Sequence, residues 1–257
     1  MNTHILMVTY SRDACWAYHS LRSVEKFATG FSDVRVLVPN GDVPLFRRLT
    51  DFRVMGFDEP HGKGMVAHMA QICQADLVCP NADAILHLDA DTIFWRSADA
   101  SEFFVDGKPT LYRELFENFR ECNPTRYGWK ETVRKATGID PDFETMVRHC
   151  AVHLAPTYGL VRKIIERHTG MNWKDYILSC KNSFPQFFAE FPTIGAVALE
   201  HANDKYNWVD YSNGGSDYEY DRVRDATFSF WSHGGLDAET DRHPGRTARE
   251  MIEEILG

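Results

Sequence analysis

Short apolar runs alternate with amphipathic stretches through the first ninety residues, and no other feature constrains the fold as much. His4–Thr9, Val34–Val38, Phe52–Phe57 and Ala84–Leu88 read as four strands. After the first, Ala14, Ala17, Tyr18, Leu21, Val24 and Ala28 recur at helical spacing behind Asp13, a residue suited to an N-cap. A short helix near Val43–Leu49 follows the second strand, and Met65, Met69, Ile72 and Asp76 mark a helix after the third. A β-α-β-α order builds a mostly parallel sheet with helices on both faces, the Rossmann-like form of the α/β class. Ligands of such sheets bind at the carboxyl ends of the strands. Three polar segments fall there: Tyr10–Asp13, His61-Gly62-Lys63-Gly64 and Asp89-Ala90-Asp91.

Beyond residue 100 the pattern is irregular. Leu160, Val161, Ile164, Ile165 and His168 define a helix, and Trp173–Cys180 and Ile194–His201 give weaker ones. Residues 203–225 read as a polar loop. Ala226–Trp231 alternates like a strand, and Ala248, Met251, Ile252, Ile255 and Leu256 mark a last helix.

The bulk properties exclude several classes. No apolar run reaches the roughly 18–20 residues of a membrane-spanning helix. Met1–His4 leads straight into a strand with no basic or apolar leader, and the six cysteines are scattered with no C-x-x-C pair. Both point to a reduced, cytoplasmic protein. A formal charge of −9 argues against a broad nucleic-acid face. Between Lys108 and Lys135 the basic residues Arg113, Arg120, Arg126, Lys130, Arg134 and Lys135 cluster, but interleaved glutamates make an ordinary solvated helix face the simpler reading.

In a chain this rich in aspartate about two Asp-x-Asp triplets arise by chance, and a second one, Asp140-Pro141-Asp142, reads as a loop and helix start. Asp89-Ala90-Asp91 differs in ending a buried strand. Two carboxylates there repel each other and lose hydration. Mg²⁺ or Mn²⁺ resolves both problems, since it takes one or two carboxylates and completes its shell with phosphate oxygens.

His4–Asp13 (HILMVTYSRD), Ala84–Trp95 (AILHLDADTIFW) and Phe230–Asp237 (FWSHGGLD) resemble the nucleotide-sugar glycosyltransferases of the GT-A fold. The likeness is strongest to a little-studied bacterial and phage glycosyltransferase-like group. It covers the N-terminal half well and the middle third poorly. It implies one GT-A-like domain over residues 1–257, with a nucleotide-binding half (1–100) and an irregular acceptor-side half (101–257). It also implies a metal-dependent transfer of sugar from a nucleotide-diphosphate sugar, with uridine as the expected base. Asp91 would hold the metal, Asp89 the metal or the donor ribose, and His233 would complete the shell. Thr9, Tyr10, Arg12 and Asp13 would grip the nucleoside, Ala90 would lie against the donor, and Lys63 would meet the diphosphate. The acceptor expected is a small molecule, glycan or protein; the phage likeness adds modified-base DNA, with the Lys108–Lys135 segment as its contact.

An inverting enzyme also needs a general base, and the sequence leaves retention or inversion open. Glu190, within Phe187-Phe188-Ala189-Glu190-Phe191, is the best candidate, because an aromatic surround raises a carboxyl pKa. The competing view makes it a helix-surface glutamate; Asp237 and Asp217 are weaker candidates. Three other functions share parts of this pattern. A haloacid-dehalogenase-like phosphatase would use Asp89 as nucleophile, but its motif normally ends the first strand. A non-catalytic nucleotide-binding module would keep the fold alone. A nucleotidyltransferase would carry a Gly-rich loop where Tyr10–Asp13 has no glycine.

Overall fold

The computed structural model describes residues 1–146, 150–183, 187–211, 226–230, 235–240 and 243–257. In chain order the N-terminal part holds β1 (Thr3–Val8), α1 (Ala14–Phe27), β2 (Asp33–Pro39), β3 (Arg53–Phe57), α2 (Gly64–Ile72), β4 (Ala84–His87) and β5 (Thr92–Phe94). The remainder holds β6 (Lys108–Leu115), α3 (Pro124–Thr137), β7 (Phe143–Glu144), β8 (Val152–Leu154), α4 (Ala155–Thr169), α5 (Trp173–Ser179), α6 (Glu190–Ala202), β9 (Asn207–Asp210), β10 (Thr227–Ser229) and α7 (Ala248–Leu256).

The main sheet runs β8-β4-β1-β2-β3. Its first four strands in sequence are parallel, and β8 closes the β4 edge antiparallel. Both faces of β1 and β4 are covered, which is why these strands read as apolar runs. Alternate residues of β1 serve opposite cores. Leu6 and Val8 pack with Val66 and Ala70 of α2, Val161 and Ile165 of α4, and Ile194 and Val197 of α6. Ile5 and Met7 pack with Ala17, Leu21 and Val24 of α1. The first core therefore joins β1 to helices as distant in sequence as α6. The fold is α/β with helices on both sides of a Rossmann-like sheet, as the alternation predicts.

The strand order reverses between β1 and β4, so their carboxyl ends diverge and leave a crevice. A smaller sheet, β7-β6-β9, lies beside the main one, with Phe104–Val105 pairing β6. Its β9 pairs parallel to β6 from Asn207 opposite Thr110 to Asp210 opposite Arg113. The expected loop over residues 203–225 thus holds a 3-10 turn at Asn203–Lys205 and then strand β9, while residues 212–225 lie outside the described residues.

Other expectations need correction. The Lys108–Lys135 segment is not one helix face, since it opens as β6. Its named cations are engaged: Arg113 with Asp210, Arg120 with Glu117, Arg126 with Glu144, Lys130 with Asp140, and Arg134 and Lys135 with Glu131. Asp140-Pro141-Asp142 leads into strand β7 and starts no helix. Asp13 occupies the N-cap position of α1, yet its side chain makes no capping hydrogen bond. All six cysteines are free thiols. Among the described residues no helix is long and apolar enough to cross a membrane.

Candidate active site

The triplet forms the turn between β4 and β5. The Thr92 N–H donates to the Asp89 carbonyl at 3.1 Å, closing a four-residue turn with Ala90 and Asp91 at its centre. Two serines spaced three apart on one face of α1 hold the strand that leaves this turn. Ser20 Oγ donates to the Thr92 carbonyl at 2.6 Å, and Ser23 Oγ accepts from the Phe94 N–H at 2.9 Å. Both serines are fully buried. On the other edge β10 pairs antiparallel with β5, and the Phe230 N–H reaches the Asp91 carbonyl at 2.9 Å. The triplet's backbone is thereby fastened from two sides, while Asp89, Ala90 and Asp91 stay half-buried. His233, three residues beyond Phe230, lies outside the described residues, as does Asp217.

Both carboxylates reach one neighbourhood. Burial drives the Cys150 thiol up to about 12, against a hydrogen bond with Thr227, and the charges of Asp89 and Asp91 add to the rise. Among the described residues no three His, Cys, Asp or Glu side chains gather to hold a metal ion. The described donor set is therefore two carboxylates on a rigid turn. That suits the protein's share of a Mg²⁺ or Mn²⁺ site whose other ligands are substrate oxygens and water.

Across the crevice the chain leaves β1 through Thr9, which is buried; its Oγ1 has no hydrogen-bond partner among the described residues. Tyr10 is half-buried, and its hydroxyl accepts from the Arg12 guanidinium at 2.6 Å, with that group also lying over the ring. Arg12 itself is exposed and Asp13 half-buried. Burial raises the Tyr10 pKa, with Asp13 adding to the rise and Arg12 opposing it. The Ser11 N–H donates to Asp42 Oδ2 at 2.7 Å, tying this loop to the one after β2. Between them and the loop after β3 opens a cleft of about 550 Å³, lined by Tyr10, Asp42, Phe57, Asp58 and Glu59 among others.

Lys63 is half-buried at the start of α2, with Nζ 3.5 Å from the Cys180 carbonyl. Its neighbour Gly62 has φ +70°, a left-handed conformation that favours glycine. Asn182 fixes the segment by donating to the Gly62 carbonyl and accepting from the Val66 N–H. The lysine's Nζ therefore reaches the end of α5, and Lys63 does not itself line the cleft.

Glu190 is the first residue of α6 and is only 8% exposed, so it is not a surface glutamate. Burial pushes its carboxyl up to about 8; a hydrogen bond to its own backbone opposes this, and the charge of Asp89 reinforces it. Asp237 is the opposite case: exposed, ion-paired to Arg249 at 2.6 Å, and held below the usual carboxylate range by that bond. It lacks the raised basicity expected of a tuned base.

Two histidines escaped the sequence reading. His68, half-buried on α2, has its pKa lowered by burial, while the charges of Asp89 and then Asp13 pull it upward. It thus stands within electrostatic reach of both sides of the crevice. His87, two residues before the triplet, is buried, shares a 2.6 Å hydrogen bond with the Tyr158 hydroxyl, and has its pKa pushed down to about 3, chiefly by burial. It is neutral and belongs to the packing behind the site. A histidine inside the apolar run Met65-Val66-Ala67-His68-Met69-Ala70 was the only sequence signal for His68, and it looks like core.

Compared with known proteins, the chain matches no family model and no curated protein sequence.

Proposed function

We propose that the protein is a metal-dependent glycosyltransferase of GT-A type, moving a sugar from a nucleotide-diphosphate sugar to an acceptor hydroxyl. The observation that carries this reading is the Asp89–Asp91 turn. Its two carboxylates stand on a doubly fastened backbone at the crevice where the strand order reverses. His68 lies within reach of the charges of Asp89 and Asp13, and the buried Glu190 within reach of that of Asp89.

In this mechanism Asp91 and Asp89 would hold a divalent cation. When bound, the cation supplies charge neutralisation to the diphosphate as negative charge grows on the leaving oxygen. Tyr10 and its loop orient the nucleoside. Glu190 in its ionised form takes the proton of the acceptor hydroxyl as that oxygen bonds to the anomeric carbon and the bond from that carbon to the diphosphate breaks. Phe187, Phe188 and Phe191 flank Glu190 and are themselves buried, so water is kept from the base.

The test is release of nucleoside diphosphate from nucleotide-sugars with Mn²⁺ present. Turnover that disappears in Asp91→Ala and on chelation supports the reading. A trapped aspartyl-phosphate on Asp89 would replace it with the phosphatase.

A further inference from the structure

The cleft beyond the loop after β1 has a lining chemistry that the transferase reading does not by itself require. It carries three carboxyl groups, Asp42, Asp58 and Glu59, and no lysine, arginine or histidine. Such a lining repels phosphate and accepts hydrogen bonds, so the part of a ligand that enters must present N–H or O–H donors. Tyr10, half-buried, supplies ring surface for a flat heterocycle, and Phe57 also lines the cleft. A cleft of about 550 Å³ accommodates a nucleoside.

Two of the carboxyl groups are fixed before any ligand arrives. Asp42 Oδ2 accepts from the Ser11 N–H at 2.7 Å, and Asp58 Oδ1 accepts from Asn40 Nδ2 at 2.6 Å. Asn40 fits only because residue 56 is glycine: a Cβ there would stand 2.0 Å from Asn40 Oδ1. The second oxygen of each aspartate has no partner among the described residues.

The four common bases answer this lining differently. Guanine offers N1–H and the 2-amino group side by side on its Watson–Crick edge, a pair of donors for carboxylate oxygens left free in this lining. Uracil offers one N–H between two carbonyls, and carboxylates repel both carbonyls. Adenine and cytosine each present an amino group beside a ring acceptor. We propose that this cleft is a guanine-reading subsite, so that the donor is a GDP-sugar. The inference deepens the transferase reading and rests on it; it replaces the uridine base expected from the sequence resemblance.

The experiment is calorimetric titration of the full chain with GDP, IDP, UDP, ADP and CDP in the presence of Mn²⁺, repeated with Asp42→Asn and Asp58→Asn. IDP keeps N1–H and lacks the 2-amino group. Each donor lost from a paired contact is expected to cost about tenfold in affinity, giving the order GDP, then IDP, then UDP. At least one variant is expected to lose about tenfold of the preference for GDP over UDP while its UDP affinity stays within about threefold. UDP, ADP or CDP binding as tightly as GDP overturns the guanine assignment and leaves the transferase reading standing. A GDP preference unchanged in both variants overturns the placement of the base in this cleft. Absence of binding by every nucleoside diphosphate overturns both.

Discussion

Replacing Glu190 with glutamine tests whether the candidate base sits in the dry setting that its role requires. The carboxyl is held at about 8 in the fold, against an ordinary value of 4.5. The sign follows from proton uptake. The folded protein keeps this proton while the unfolded chain releases it above pH 4.5, so folding is favoured fully below that value and loses stability as pH rises towards 8. A gap of that size corresponds to about 4–5 kcal/mol at its limit. Between pH 5 and pH 8 the wild type should lose about 3–4 kcal/mol relative to Glu190→Gln, which has no proton to lose. Urea denaturation of both proteins at the two pH values reads this difference directly, provided their m-values agree. A stability difference between the two proteins that is the same at both pH values would refute the reasoning, because Glu190 would then ionise as freely as an exposed glutamate. For catalysis by this base the same setting predicts a kcat/KM profile that rises with pH towards about 8.

Two further outcomes follow from neighbouring contacts. Ser20→Ala removes the buried 2.6 Å bond that holds the Thr92 carbonyl, and should cost about 1–2 kcal/mol in a denaturant melt while weakening Mn²⁺-dependent nucleotide binding. Unchanged binding would show that the serine supports the fold alone. Arg126→Met leaves the fully buried Glu144 without its cation; burial already raises that carboxyl to about 7 despite Arg126. The loss should be about 3 kcal/mol at pH 8 and clearly smaller at pH 5, where Glu144 is protonated. A loss independent of pH would refute the pairing.

The main sheet was legible because β1 and β4 are buried along their whole length and β2 through its centre, so they read as apolar runs, while the edge strand β3 is exposed at Arg53 and Gly56. Helix α1 was legible because Ala17, Leu21 and Val24 fall on one face. Strand β9 was hidden, since Asn207–Asp210 is only partly buried and its partner β6 lies 97 residues upstream. The short edge strand β8, antiparallel to Ala84–Leu86, left no local signal either. The triplet could be found, because two aspartates after an apolar strand demand an explanation. The cleft could not: Asn40–Asp42 and Asp58–Glu59 are ordinary turn residues until β2 and β3 set them side by side. Glu190 was legible as a carboxyl among phenylalanines, but whether it pointed to water depended on α6 beginning at that residue.

The central claim is that the Asp89–Asp91 turn binds a divalent cation together with a nucleoside diphosphate. Thermal shift with Mn²⁺ alone, nucleoside diphosphate alone and both together measures this most directly, in wild type and Asp91→Ala. The account predicts that only the combination raises Tm strongly, and that Asp91→Ala abolishes the rise while its own unliganded Tm stays close to that of wild type. An equal rise in Asp91→Ala, or no joint rise in the wild type with any nucleoside diphosphate, would contradict it.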